Sequence, residues 1–180
     1  MTSSTTAVVW FRRDLRLADH PALVAACERA ERVVALYVHA PEEEGEWMPG
    51  AASRWWLHHS LQALDEALRA RGASLTVRRG PTLEALRQVV AETGATQVYW
   101  NRLYEPAIVA RDTRIKAALR DAGLTCESFN SALFFEPWEV RTGQGGPYRV
   151  FTPFWKACRA QLDTRPAPLP APRRIPTPTW

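Results

Sequence analysis

Two short stretches of this chain carry side chains able to do chemistry: Arg12-Arg13-Asp14-Leu15-Arg16 and Asn101-Arg102-Leu103-Tyr104-Glu105. Each follows directly on an apolar run, Ala7-Val8-Val9-Trp10-Phe11 in the first case and Val98-Tyr99-Trp100 in the second. A guanidinium forks well onto anionic or carbonyl-rich groups, so one reading has an arginine gripping a ligand while Asp14 orients it. The other reading makes Arg12, Arg13, Asp14 and Arg16 an internal ion-pair cluster that only fixes the loop. Glu105 precedes Pro106, which is preset for a first helical turn, and a helix start stabilises a carboxylate there. Glu105 is then either a simple cap or an acceptor for the amino and ring N–H edge of a heterocycle. No nucleophile, metal cluster or acid–base pair accompanies these groups, so no catalytic residue and no metal site are assigned.

Other site signatures are missing. Neither GxGxxG nor GxxxxGK[ST] follows the first strand, which leaves the two common pyrophosphate cradles unsupported. There is no GxSxG elbow and no zinc-protease pattern among the four histidines. His58 and His59, beside Trp55 and Trp56, read as solvated or packed helix residues. Cys27, Cys126 and Cys158 are odd in number and widely spaced, which points to free thiols in a reducing compartment. The net charge of +4 suits an anionic partner and equally suits a plain basic surface. The polar start MTSSTT lacks an apolar signal-peptide core and no run approaches a membrane span, so the expected location is cytoplasmic, with no membrane partner.

The elements that must position these loops alternate over the first 130 residues. Strands are expected at 7–11, 33–38, 75–77, 97–100 and 125–129. Helices are expected at 21–29, with Asp19 as its cap, and at 53–71, 83–91 and 106–121, with Gly72 and Gly94 as stops. This alternation implies an α/β fold, a Rossmann-like doubly wound five-stranded parallel sheet with helices on both faces. If strands one and four are central neighbours, both chemically rich loops open onto one crevice at the switch point.

Beyond residue 130 the pattern changes. Leu133-Phe134-Phe135-Glu136-Pro137-Trp138 and Val150-Phe151-Thr152-Pro153-Phe154-Trp155 bracket a turn-rich Thr142-Gly143-Gln144-Gly145-Gly146-Pro147. That is more aromatic surface than a small domain normally leaves exposed. The proline-rich stretch 165–180 reads as an extended linker. The expected division is an α/β domain over 1–131, an interdomain connecting segment over 132–164, and the start of a linker over 165–180.

The opening WFRRDLRLADHPAL closely resembles the amino-terminal signature of the DNA photolyase and cryptochrome family. The resemblance continues through Gly50-Ala51-Ala52-Ser53-Arg54-Trp55-Trp56-Leu57, Tyr99-Trp100-Asn101, Tyr104-Glu105-Pro106, Phe135-Glu136-Pro137 and Thr142-Gly143-Gln144-Gly145, in the expected order. It implies the antenna domain of that family, which binds a light-harvesting chromophore, methenyltetrahydrofolate or a deazaflavin. A longer helical domain holding FAD and the DNA lesion would follow after Trp180. The full-length relative would be a deoxyribodipyrimidine photo-lyase, a flavoprotein that repairs pyrimidine dimers with light after flipping them from the duplex. This chain alone is expected neither to bind FAD nor to repair DNA. Its expected partners are the FAD-binding helical domain of the same protein, DNA only through that domain, and weakly a second copy of itself.

The resemblance also assigns site residues. Asn101 and Glu105 match the polar positions after strand four, and Tyr104 beside them, with Arg12 and Asp14 of the first loop, complete the expected cofactor-binding set. Trp47 and Met48 fall where folate-binding relatives place a contact loop. Leu103 stands where deazaflavin binders carry an aspartate, which favours the folate. The Ser53-Arg54-Trp55-Trp56 block also resembles plant-type cryptochromes, whose domain holds no firmly bound antenna. A cryptochrome sensory domain and a stand-alone nucleotide-binding or interaction module are the alternatives.

Overall fold

The computed structural model describes residues 5–178, with the side chains of Glu46 and Trp47 left undescribed. Five parallel strands, β1 (Thr6–Phe11), β2 (Arg32–His39), β3 (Leu75–Arg79), β4 (Gln97–Asn101) and β5 (Thr125–Phe129), form one sheet in the order β3-β2-β1-β4-β5. β1 lies between β2 and β4, with Val9 opposite both Ala35 and Tyr99. The chain order reverses at this point, which leaves a crevice at the carboxyl ends.

All six residues of β1 are buried, as a strand covered on both faces requires. Its alternate side chains feed two cores. Val9 and Phe11 pack with Leu23 of α1 (Pro21–Arg29) and Leu64 and Leu68 of α2 (Ala51–Arg69). Val8 and Trp10 pack with Leu86 and Val89 of α3 (Thr82–Thr93) and Ile115 and Leu119 of α4 (Pro106–Asp121). The sheet is therefore doubly wound, as the alternating pattern implies.

Local chemistry sets the helix ends. Pro21 and Pro106 occupy the first turns of α1 and α4, and Gly94 adopts φ +64° to end α3. The cap of α1 corrects the expectation: His20, not Asp19, caps it, its Nδ1 accepting the Leu23 N–H at 3.0 Å. Asp19 instead takes φ +50°, a conformation Asp tolerates better than most residues, in the turn before the cap. α2 begins two residues earlier than expected, and only Leu64 and Leu68 of it are buried. A 3-10 stretch (Pro41–Trp47), broken at Gly45, leads into it. No helix among the described residues is long and apolar enough to cross a membrane.

The chain divides into two compact units, one comprising residues 1–131 and 169–180, the other residues 132–168. The proline-rich stretch is non-helical, but from Leu169 its described part belongs to the α/β unit. Ile175 is fully buried in the core beside α2, its N–H bonds to the Arg71 carbonyl, and the Pro176 carbonyl accepts the Val33 N–H. Earlier in this strap, Asp19 and Leu169 exchange hydrogen bonds. In the smaller unit, the segment after the glycine-rich turn folds as α5 (Phe151–Arg159). Arg165 holds that unit together by bonding to the Phe134 carbonyl and Glu139 and lying over the Phe135 ring. Phe151 and Trp155 stack on each other at its surface, and Phe134 is likewise exposed.

Candidate ligand-binding site

Arg12 and Arg13 leave β1 side by side and enter different environments. The Arg12 guanidinium is buried, pairs with Asp112 of α4, donates to the Asn101 carbonyl, and lies 4.7 Å from the centre of the Trp10 ring. Burial pulls its pKa down, against the opposing pull of Asp112 and Asp14. Arg13 is half exposed and bridges Glu105 at the start of α4 and Glu44 of the 3-10 stretch, the latter at 3.2 Å.

Asp14 anchors the buried layer. Its carboxylate accepts the Arg12 backbone N–H at 2.8 Å and the Asn101 amide at 2.6 Å. His20 Nε2 approaches at 3.0 Å, although its alignment falls short of a good hydrogen bond. Burial alone would raise the Asp14 pKa, but the His20 imidazole, the Arg12 N–H and the Asn101 amide together bring it down to about 2. Asn101 completes the layer by accepting the Ala22 N–H at 3.1 Å through its Oδ1. Arg12, Asp14, His20, Asn101 and Asp112 thus tie β1, β4, α1 and α4 together at the sheet's carboxyl edge.

Glu105 precedes α4 without capping it by a side-chain hydrogen bond; its carboxylate turns to Arg13. Partial burial pushes its pKa up, and its own N–H, Arg13 and the Tyr104 N–H bring the net shift below the ordinary value. The carboxylate thus stays ionised at neutral pH and half exposed. Arg16 donates to the Ala18, Asp19 and Ser131 carbonyls. Of this opening cluster, Arg12 and Asp14 act as loop-fixing groups, while Arg13 stands at the rim.

A cleft of about 770 Å³ opens at this edge. It presents the aromatic groups Trp10, Tyr37 and Trp56 and the cations Arg13, Arg16 and Arg54. Such a volume falls within the common range for small-molecule sites. Among the described residues, Arg12 is the one expected site residue that lines it; Asp14 and Asn101 remain in the buried layer, and Glu105 reaches it through Arg13. Tyr104 donates its hydroxyl to Asn130, and Met48 is exposed on the approach to α2. The Trp47 side chain lies outside the described residues. Sequence reasoning missed Tyr37, Arg54 and Trp56 as lining groups. The carboxyl end of β2 was the available signal for Tyr37, since the rule that singled out β1 and β4 applies to it too.

Comparison with known proteins covers nearly the whole chain. A family model described as DNA photolyase matches residues 7–173. Cryptochrome-1 of Arabidopsis thaliana is 45% identical over 174 residues, covering 96% of this chain and 25% of that protein. The deoxyribodipyrimidine photo-lyase of Agrobacterium fabrum is 44% identical over 171 residues, covering 95% of this chain and 35% of that protein. The crystal structure of a bacterial class III photolyase from Agrobacterium tumefaciens superposes with a TM-score of 0.92 at 41% identity, covering 100% of this chain and 36% of that one. The chain therefore spans a quarter to about a third of the length of these relatives.

Proposed function

The chain belongs to the DNA photolyase family, and from that premise we propose that it is the antenna domain of a deoxyribodipyrimidine photolyase, with methenyltetrahydrofolate in the cleft at the carboxyl edge. One observation carries this reading: within the family's α/β fold, the 770 Å³ cleft combines flat aromatic walls at Trp10, Tyr37 and Trp56 with cations at Arg13, Arg16 and Arg54. A conjugated ring system carrying carboxylates matches both, through stacking and charge-assisted hydrogen bonds. Arg12, Asp14 and Asn101 serve the site by holding its walls, while Tyr104, Met48 and Trp47 belong to the flanking loops.

Glu105 is the polar anchor in this reading. Its ionised carboxylate stands half exposed, and a pterin edge with two N–H donors would take it over from Arg13. When bound, the folate supplies near-ultraviolet absorption and passes its excitation on; the chain's residues bind it, orient it and exclude water. FAD and the lesion belong to a helical domain of the full-length protein, and DNA is reached through that domain. The location that goes with this reading is cytoplasmic.

Titration of the chain with methenyltetrahydrofolate, followed by fluorescence, tests the assignment. We expect Glu105→Gln to weaken binding about tenfold, equivalent to about 1.4 kcal/mol, through loss of a charge-assisted acceptor. Equal affinities for wild type and variant, or a preference for a deazaflavin, would overturn the folate anchor. A second reading, a cryptochrome sensory domain, is favoured by the 45% identity to Arabidopsis cryptochrome-1. Light-dependent dimer repair by the full-length protein separates the two.

A further inference from the structure

Three separate segments make up one side of the cleft. The 3-10 stretch (Pro41–Trp47) lines it through Pro41 and Glu44, α3 through Thr82, and α4 through Arg111. All three meet at Glu43, a residue outside the cleft lining. Its Oε1 accepts the Thr82 N–H at 2.7 Å and its Oε2 the Thr82 hydroxyl at 2.6 Å, while Arg111 Nη1 stands 3.4 Å from the same Oε2. One carboxylate therefore joins the strap to the starts of two walls.

The helix α3 has no cap of its own. Pro81 precedes it without a side-chain acceptor, so the Thr82 N–H is one of the orphan donors that every helix start leaves. A carboxylate satisfies that donor well, because the bond is charge-assisted and faces the positive end of the helix. Glu43 supplies it from 39 positions away, and Thr82 is only 1% exposed, which keeps water from competing. Arg111 is shared: Asp112 accepts from its Nε and Nη2 at 3.1 and 3.0 Å, Glu43 faces its Nη1, and the guanidinium lies 5.3 Å from the centre of the Trp10 ring. The next residue makes the opposite kind of tie. Glu44 reaches Arg13 at 3.2 Å, but the Arg13 side chain is 52% exposed and is already shared with Glu105. Gly45 then breaks the stretch at φ +57°. A ligand that draws Glu105 or Arg13 away loosens the Glu44 tie and leaves the Glu43 tie in place.

We propose that Glu43 is the positioning residue of this side of the cleft: without touching a ligand, it fixes Thr82, Arg111 and the 3-10 stretch, so the cleft keeps its shape while Arg13 is exchanged. This role rests on the cleft being the chromophore site. Its consequence is that a carboxylate outside the cleft sets chromophore affinity.

Wild type is compared with Glu43→Ala, Glu43→Gln and Glu42→Ala, the last because Glu42 is adjacent, exposed and outside the cleft lining. Methenyltetrahydrofolate and, in a second arm, a deazaflavin are titrated by fluorescence in native buffer, where circular dichroism shows each variant folded. Under those conditions a purely structural role leaves the affinity of the folded molecules unchanged. Expected is binding about fivefold weaker in Glu43→Ala, partial rescue in Glu43→Gln, whose amide oxygen still accepts the Thr82 N–H, and no change in Glu42→Ala. A further arm needs no chromophore. In the free protein, Glu43→Ala should quicken hydrogen exchange at the Thr82 amide and lower the backbone order parameters of residues 42–45, while the Leu68 amide in the core keeps its protection. Wild-type affinity in Glu43→Ala overturns the proposal, and so does an equal loss in Glu42→Ala. If wild type takes neither chromophore, the chromophore reading falls and the free-protein arm decides alone: changes confined to Thr82 and residues 42–45 uphold Glu43 as the residue that fixes this wall, and unchanged values overturn it. Should Glu43→Ala fail to fold, Glu43→Gln, which lacks the charge facing Arg111, decides by the same readouts.

Discussion

The buried layer around Arg12 and the rim around Arg13 are built from the same residue types, one position apart in sequence, yet they are set up for opposite tasks. In the buried layer each charge has a buried partner: Arg12 pairs with Asp112, and Asp14 accepts from Asn101 with His20 close by. At the rim Arg13 and Glu105 are each about half exposed, so water competes for both and a ligand can displace either. Burial therefore decides which charges hold the site together and which remain exchangeable, and residue identity alone does not.

The largest effect expected from this contrast is on stability. Asp112→Ala removes the partner of a buried guanidinium, which typically costs about 3 to 5 kcal/mol because the remaining charge stays buried. Urea denaturation should show this as a much lower midpoint with little change in slope. A loss below about 1 kcal/mol would place Arg12 with the rim.

Acid should separate the two layers next. The Asp14 carboxyl lies at about 2, against an ordinary value of 3.8. A depressed carboxyl contributes stability that is fully present above the ordinary value and is lost as pH falls through the folded value. Between pH 4 and pH 2 the fold should therefore lose about 2 kcal/mol through this group. Asp14→Asn should already be destabilised at neutral pH and should flatten that part of the acid profile. An unchanged profile in the variant would show that Asp14 is not the group responsible.

The smallest effect belongs to the rim. With both partners half exposed, Glu105→Gln should change stability by about 1 kcal/mol or less, and added salt should shrink the difference further. The contribution of the Arg12 pair should persist in the same salt. A large, salt-resistant loss in Glu105→Gln would erase the distinction between layers.

Much of the scaffold was legible in the sequence, because hydrophobic periodicity and turn chemistry act locally. The bounds of α1, α4 and β5 coincide with those expected, and so do the doubly wound sheet and the neighbouring positions of β1 and β4. Failures arose where the deciding partner is remote or the local signal is mixed. Asp19 looks like the better cap, but the chain turns there at positive φ and presents His20 to the Leu23 N–H. The helix α5 was hidden by aromatic residues, Pro153 and the glycine-rich turn before it. The structural partners of Asn101 and Arg12 were not legible, because Ala22 and Asp112 lie 79 and 100 positions away in sequence.

The proline-rich strap changes what the smaller unit is to the chain. Arg16 holds the Ser131 carbonyl where that unit begins, and Asp19 holds Leu169 just after it ends, so both anchor points lie within one four-residue turn. A segment fastened at both ends to a finished body can change length cheaply, since each doubling of a flexible loop costs only about 0.6 kcal/mol in closure entropy. A change of length within residues 132–168 therefore leaves the two anchor points on the α/β unit in place. The glycine-rich turn at 142–146 is the natural place to graft an epitope or a fluorescent reporter.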